Sequence, residues 1–220
     1  MSPIERDKRA AAAAAANLVE AGMRVGLGTG TTIAPLMPAL AARGLKLRCF
    51  ASSPATEQAA RAAGLAVEPF EGREPLDIAI DGADQIAPDG WLIKGGGRAH
   101  TREKIVAAAA ERFVVIASGD KLVERLQPPV PLELTAFGVQ ATLRRLATAR
   151  LRGGPVSPDG GVIADWVGPV DDPSTLDTWL STTPGVVEHG LFPRALVSDL
   201  VVARNDAVEH YSLSDRRRWI

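Results

Sequence analysis

Apolar residues fall into short runs joined by stretches of helical spacing, and glycine or proline marks most of the joints. Residues 5–20, alanine at 10–16, read as a first helix that stops at Gly22, a residue suited to a C-terminal cap. Met23-Arg24-Val25-Gly26-Leu27-Gly28 reads as a short buried strand entering a glycine-rich turn. Residues 31–40 read as helix, its start and regularity disturbed by Pro35 and Pro38. A strand over 45–50, a helix over 56–63 closed by Gly64, and strands over 65–67 and 76–80 follow, the last ending at Asp81. Ala87-Pro88-Asp89-Gly90 is a turn signal, 91–94 leaves it extended, Gly95, Gly96 and Gly97 form a loop, and 101–110 is helical. Phe113-Val114-Val115-Ile116-Ala117 is the uninterrupted apolar run of a strand buried inside a parallel sheet.

Strands alternating with helices predict an α/β fold, a doubly wound, mostly parallel sheet core. Gln127-Pro128-Pro129-Val130-Pro131 breaks that rhythm and marks a domain boundary. Beyond it come a strand at 132–134, a helix at 138–148, a weak strand near Leu151, loops rich in glycine and proline, a strand at 162–166, a helix at 174–181 and a strand at 185–188. That order predicts a second, smaller α+β domain over 129–202. Strands at 200–203 and 209–213 return to the first sheet, so the larger domain is 1–128 with 203–220. No internal repeat is present.

Composition narrows the function classes. With 220 residues, 46% hydrophobic and 23% charged, the chain has the makeup of a soluble globular protein. Its net charge of −1 offers no pull toward nucleic acid or membrane, and the Arg216-Arg217-Arg218 run reads as a solvated tail. The single cysteine, Cys49, excludes an intramolecular disulfide framework and reads as a small buried strand residue. His100, His189 and His210 lack zinc-ligand spacing, so no metal is expected. Glu5 and Asp7 before the alanine run, and Asn17 and Glu20 after it, argue against a signal peptide, and nothing approaches a membrane span. A cytoplasmic location follows as an expectation.

Three segments carry candidate chemistry. Gly26-Leu27-Gly28-Thr29-Gly30-Thr31-Thr32 lies where a strand meets a helix, where missing β-carbons, helix-start amides and threonine hydroxyls suit a phosphate. It fits neither the G-x-G-x-x-G dinucleotide fingerprint nor a Walker A loop, and the second strand ends in Ser52 and Ser53 instead of a ribose-binding acid. Alone it is about as compatible with a structural tight turn. Asp81-Gly82-Ala83-Asp84 sets two carboxylates directly after an apolar strand, where open α/β sheets bind ligands. A turn stabilised by local hydrogen bonds explains one of them comfortably, two less well. Lys94-Gly95-Gly96-Gly97 presents a cation followed by backbone amides, the makings of an oxyanion nest, with a flexible hinge as the plainer reading. Glu103 in the first turn of a helix, and Lys121 after Ser118-Gly119-Asp120, are each ordinary helix-start residues when taken singly.

In combination they are not ordinary. Gly26 to Thr32, Asp81 to Asp84, Lys94 to Gly97 and Arg102-Glu103-Lys104-Ile105, in this order and spacing, resemble ribose-5-phosphate isomerase type A. The similarity extends to Pro184-Gly185-Val186-Val187 and Gly190-Leu191-Phe192. The resemblance implies an α/β domain with a smaller α+β domain, no cofactor, and a homodimer or homotetramer interconverting ribose 5-phosphate and ribulose 5-phosphate. It implies Glu103 as general base moving a proton between C2 and C1. Asp81, with Asp84 beside it, would serve ring opening and proton traffic at the sugar oxygens. Lys94 with the amides of Gly95, Gly96 and Gly97 would stabilise an enediolate. Thr29, Gly30, Thr31 and Thr32 would contact substrate, with Lys8 and Lys121 at the phosphate end. Gln85, Arg98 and His100 depart from the commonest pattern of the family; Arg98 lies against the glycine loop and is placed to alter its mobility or phosphate affinity. An isomerase for another sugar phosphate is the nearest alternative. A non-catalytic sugar-phosphate sensor would need a DNA-binding segment the sequence lacks, and would not need Glu103 and Lys94.

Overall fold

A computed structural model of the chain describes residues 1–205 and 207–212. In chain order the elements are α1 (Pro3–Ala16), β1 (Arg24–Leu27), α2 (Leu36–Ala42), β2 (Arg48–Ala51), α3 (Pro54–Ala62), β3 (Ile78–Gly82), β4 (Gln85–Ile86), β5 (Leu92–Ile93), α4 (His100–Ala108) and β6 (Phe113–Ser118). They continue with β7 (Val130–Leu134), α5 (Val139–Leu146), β8 (Ala149–Leu151), β9 (Val162–Trp166), α6 (Pro173–Ser181), β10 (Val186–His189), β11 (Leu191–Phe192), β12 (Asp199–Arg204) and β13 (Ala207–Ser212).

The chain divides into two compact units. One holds Met1–Ala83, Arg102–Leu122 and the described residues from Ala195 on; the other holds Asp84–Thr101 and Val123–Arg194. The division expected from sequence, at 128/129 and 202/203, differs at three places, each for a packing reason. Ala87 and Ile93 join Leu126, Val130 and Leu191 in the second unit's core, which draws 84–101 and 123–128 into it. Residues 199–202 belong to the continuous strand β12 in the first unit's sheet.

The first unit is built on a six-stranded sheet in the order β13-β12-β6-β3-β1-β2, parallel except for the edge pair β12–β13. Side-chain alternation decides what covers each face. Val25, Leu27, Ile78, Ile80, Val114 and Ile116 share one core with Ala11, Ala12 and Ala15 of α1, Leu36, Met37 and Leu40 of α2, and Ala60 of α3. Alanine in α1 lets that helix lie close to the sheet. The alternate residues look the other way: a β-carbon on Gly26 would sit 2.5 Å from Val106 Cγ1 of α4. Helices therefore cover both faces, and the fold is a doubly wound α/β sheet. Cys49 is buried in β2, and burial pushes its thiol up to about 11, as a structural cysteine requires.

Several boundaries differ from the sequence reading. α1 starts earlier, with Ser2 and Glu5 forming a reciprocal cap, and ends at Ala16, not at residue 20. Gly22, at φ +87°, instead donates its N–H to Lys46 O in a later turn. Pro35 sits at the N-cap of α2, so helix begins at Leu36 and 31–35 is a turn. Residues 65–67 contribute a single bridge, Cys49 to Val67, and no strand. Leu213 and the arginines at 216–218 lie outside the described residues.

The second unit carries a four-stranded antiparallel sheet, β10-β7-β9-β8, with α5 and α6, and a small sheet, β11-β5-β4. The two-residue strands of the small sheet give no readable alternation. They matter because β5 runs directly into Lys94.

Candidate active site

In the first unit the candidate residues collect at the carboxyl ends of the parallel strands. β1 leads into Gly28 to Thr32, β2 into Ser52 and Ser53, β3 carries Asp81, and β6 leads into Lys121. Asp81 is buried; its Oδ1 accepts from the N–H of Thr29 (3.1 Å) and of Gly82 (2.7 Å). A β-carbon on Gly28 would come within 2.5 Å of Asp81 Cβ and closer still to its carboxylate, so only glycine leaves room for this aspartate. Gly30, at φ +111°, needs its glycine for backbone conformation.

Glu103 is buried in the first turn of α4. Its position relative to Asp81 follows from the two elements. Asp81 is two residues past Ala79 on β3 and looks to the same face; Ala79 pairs with Gly26, over which Val106 lies. The other end of α4 meets the start of β3, where the N–H of Leu76 donates to Ala109 O (2.9 Å). The helix thus runs back along the strand, and Glu103, one turn before Val106, lies ~4.5 Å further toward the strand's carboxyl end. Asp81 lies ~6.6 Å beyond Ala79 in that same direction. The two carboxylates share one face and one end of the sheet.

The threonines are held differently. Thr29 Oγ1 shares hydrogen bonds with Ser52 Oγ (2.9 Å) and Thr56 Oγ1 (3.1 Å), and Thr56 donates to Gly28 O (2.8 Å). Thr56 escaped the sequence reading because it lies inside a helix. Thr32 is buried next to Gly82. Lys8 Nζ donates to Thr31 Oγ1 (2.7 Å), so α1 does deliver a cation to this loop. Lys121 pairs with Asp120 (3.3 Å).

The second unit holds Asp84, Lys94 and the glycine loop. Lys94 is buried, its ammonium 5.4 Å from the centre of the Phe192 ring. Its N–H donates to Gly190 O (2.9 Å), and a β-carbon on Gly190 would overlap Lys94 O. Gly95 has φ +108°. The Gly96 N–H donates to Asp84 Oδ2 (2.8 Å), so this amide orients the aspartate. Arg98, in left-handed conformation at φ +65°, donates to Gly153 O (2.5 Å) and Pro155 O (2.9 Å). His100 is wholly buried. Arg152, unremarkable in the sequence, donates to Gly95 O (3.0 Å) and is held by Asp165. The Asp165 hydrogen bond, against the opposing effect of burial, raises the pKa of this guanidinium, and the charges of Asp165 and Asp84 add to it.

Among the described residues no group of three or more His, Cys, Asp or Glu is placed to hold a metal ion, and no helix is long and apolar enough to cross a membrane.

Carboxylates and hydroxyls at the carboxyl edge of a doubly wound sheet define an α/β enzyme acting on a small polar molecule. Residues 48–207 match the family Ribose 5-phosphate isomerase A (phosphoriboisomerase A). Ribose-5-phosphate isomerase A of Methanosarcina acetivorans is 41% identical over 215 residues, spanning 91% of each chain, and that of Gluconobacter oxydans is 42% identical over 221 residues, spanning 93% of this chain and 95% of the relative. The crystal structure of ribose 5 phosphate isomerase A from Neisseria gonorrhoeae superposes with a TM-score of 0.91 at 32% identity, covering 96% of this chain and 98% of that one. The chain belongs to the ribose-5-phosphate isomerase A family, and it is an isomerase.

Proposed function

We propose that the chain interconverts D-ribose 5-phosphate and D-ribulose 5-phosphate through an enediolate, with Glu103 as the general base. The reading rests on one observation above all: two buried carboxylates, Glu103 and Asp81, on the same face and at the same end of the sheet. Two carboxylates brought together at the ligand-binding edge of such a sheet suit acid–base catalysis on a sugar.

Glu103 removes the proton from C2 of the open-chain aldose. The electrons of that C–H bond form the C1–C2 double bond, and the carbonyl π pair moves onto O1. Glu103 then returns its proton to C1 as the O2 lone pair re-forms a carbonyl at C2. A second proton passes from O2 to O1, and Asp81, with Asp84, serves this traffic and the preceding ring opening. Lys94 and the glycine-loop backbone offset the negative charge that appears on oxygen. Thr29, Gly30, Thr31 and Thr32 contact the substrate. Lys8, bonded to Thr31 at the edge of a cavity of about 630 Å³, serves the phosphate end in this reading, as does Lys121, which lies outside that cavity's lining. No step requires a cofactor. The protein works in the cytoplasm as a homodimer or homotetramer, and Phe137, 95% exposed, with Val156 and Val187 supplies apolar surface for assembly to cover.

Glu103→Gln tests the assignment. Turnover falls by about 10³-fold or more while substrate binding by calorimetry stays within a few-fold. Exchange of a C2 deuterium into solvent stops as well. Substantial remaining isomerisation in that variant removes Glu103 from the role.

A further inference from the structure

The peptide group between Gly95 and Gly96 is gripped at both ends. Its carbonyl, Gly95 O, accepts from Arg152 Nη1 (3.0 Å) and from the Arg98 N–H of the turn (3.1 Å); its N–H, on Gly96, donates to Asp84 Oδ2 (2.8 Å). Arg152 is itself fixed: Nε donates to Asp165 Oδ2 (2.8 Å) and Nη2 to Asp165 Oδ1, while its backbone N–H donates to Ile163 O (2.9 Å). A second arginine crosses in the opposite sense, from Arg98 on the loop to the carbonyls of Gly153 and Pro155, in the segment that follows Arg152.

A triglycine loop has the greatest backbone freedom of any sequence, and a glycine peptide plane rotates at little steric cost. Something must therefore choose its orientation. With one peptide plane clamped by a cation at its oxygen and a carboxylate at its nitrogen, rotation of that plane breaks two charge-assisted hydrogen bonds at once. The plane lies one peptide beyond Lys94, and its nitrogen end sets Asp84.

We infer that Arg152, anchored by Asp165, is a positioning residue for the reaction: it orients the Gly95–Gly96 peptide and, through it, Lys94 and Asp84. This rests on the reading of Lys94 and Asp84 as parts of the active site. Arg152 touches neither substrate nor reacting atoms in this account; it acts by holding the loop.

The test compares Arg152→Met, Arg152→Gly, Asp165→Asn and Lys94→Met in steady-state kinetics with ribose 5-phosphate, each variant checked by thermal melting. Arg152→Met lowers kcat about 10- to 100-fold with a much smaller change in KM, since misplacement of a charge-stabilising group by about 1 Å has that effect. Asp165→Asn loses part of the same activity, and it decides the question alone should Arg152→Met fail to fold. Millimolar guanidinium restores kcat to Arg152→Gly but leaves the parent and Lys94→Met unchanged, a response that a merely structural role would not give. A kcat within twofold of the parent in folded Arg152→Met, or a loss in folded Arg152→Gly that guanidinium does not repair, overturns the inference. If Lys94→Met itself keeps full activity, the fault lies in the active-site reading, not in the clamp.

Discussion

Replacing Gly28 by alanine places one methyl group against Asp81 and so tests what that carboxylate does. The new β-carbon would lie 2.5 Å from Asp81 Cβ and nearer still to its carboxylate carbon. Apolar contact needs ~3.5 Å or more, so the aspartate must retreat by about 1 Å. Rotation about χ1 does not relieve the overlap, because Cβ itself is involved. Either β3 shifts or the carboxylate leaves its place, with loss of the bonds from Thr29 N–H and Gly82 N–H. Overpacking costs roughly 1–3 kcal/mol and each of the two lost hydrogen bonds about 1 kcal/mol, giving about 3–5 kcal/mol in all. Against a usual stability of roughly 5–15 kcal/mol the variant still folds, melting some 5–15 °C lower. Its kcat/KM for ribose 5-phosphate, followed by ketose formation, falls about 10²-fold or more. In an Asp81→Gly background, where the clash is absent, Gly28→Ala has little effect on melting, and the missing penalty measures the coupling. A Gly28→Ala enzyme with kcat/KM within twofold of the parent refutes the claim that the Asp81 carboxylate must stand where it does.

Three further outcomes follow from the same geometry. Asp77, bonded to the Arg24 guanidinium and to the Arg24 N–H (2.6 Å), is lowered to about 2, chiefly by the arginine. Its stabilisation, on the order of 1 kcal/mol after solvent screening, is present above the unfolded value near 3.9 and fades as pH falls toward 2; acid unfolding of Asp77→Asn shows this, and a parent–variant gap unchanged at pH 2 counts against it. Glu133, buried and accepting from Thr101 Oγ1 and Ser157 Oγ (2.5 Å), is worth about 2–4 kcal/mol against Glu133→Ala in denaturant unfolding; a cost under ~0.5 kcal/mol contradicts its place in the core. Prolonged chelator treatment leaves kcat unchanged, and a loss restored by one divalent metal would show that the reaction needs it.

Much of the first unit was legible because its signals are local. The run from Phe113 to Ala117 could only be an interior strand, and β6 is buried along its whole length. Gly64, at φ +86°, follows the last turn of the short helix α3, as expected. What stayed hidden depends on contacts distant in sequence. α1 stops at Ala16 with Asn17 at its C-cap, and Val19 of the turn beyond is seated in the core; the run of good helix formers gave no sign of so early an end. Two-residue strands such as β4, β5 and β11 carry no period to read. Thr56 sits in a helix and meets Thr29 only through the fold.

The candidate site divides along the same line. Glu103 and Asp81, the groups proposed to act on substrate, were recognisable in sequence through the spaced segments that carry them. Arg152 belongs to no such segment: its guanidinium reaches a backbone carbonyl 57 residues away, and a carbonyl places no demand on the side chain that bears it. Phe192 stands between the two: it belongs to the Gly190-Leu191-Phe192 segment legible in sequence, but its ring contact with Lys94 shows only in the structure. Groups that act on substrate are therefore read from motifs, whereas groups that orient them are read from geometry. The Lys94 loop shows why both are needed. Its glycines free the backbone to turn, and the turn bond from the Arg98 N–H, the Arg152 guanidinium at Gly95 O and the Asp84 carboxylate at the Gly96 N–H together select one orientation from that freedom.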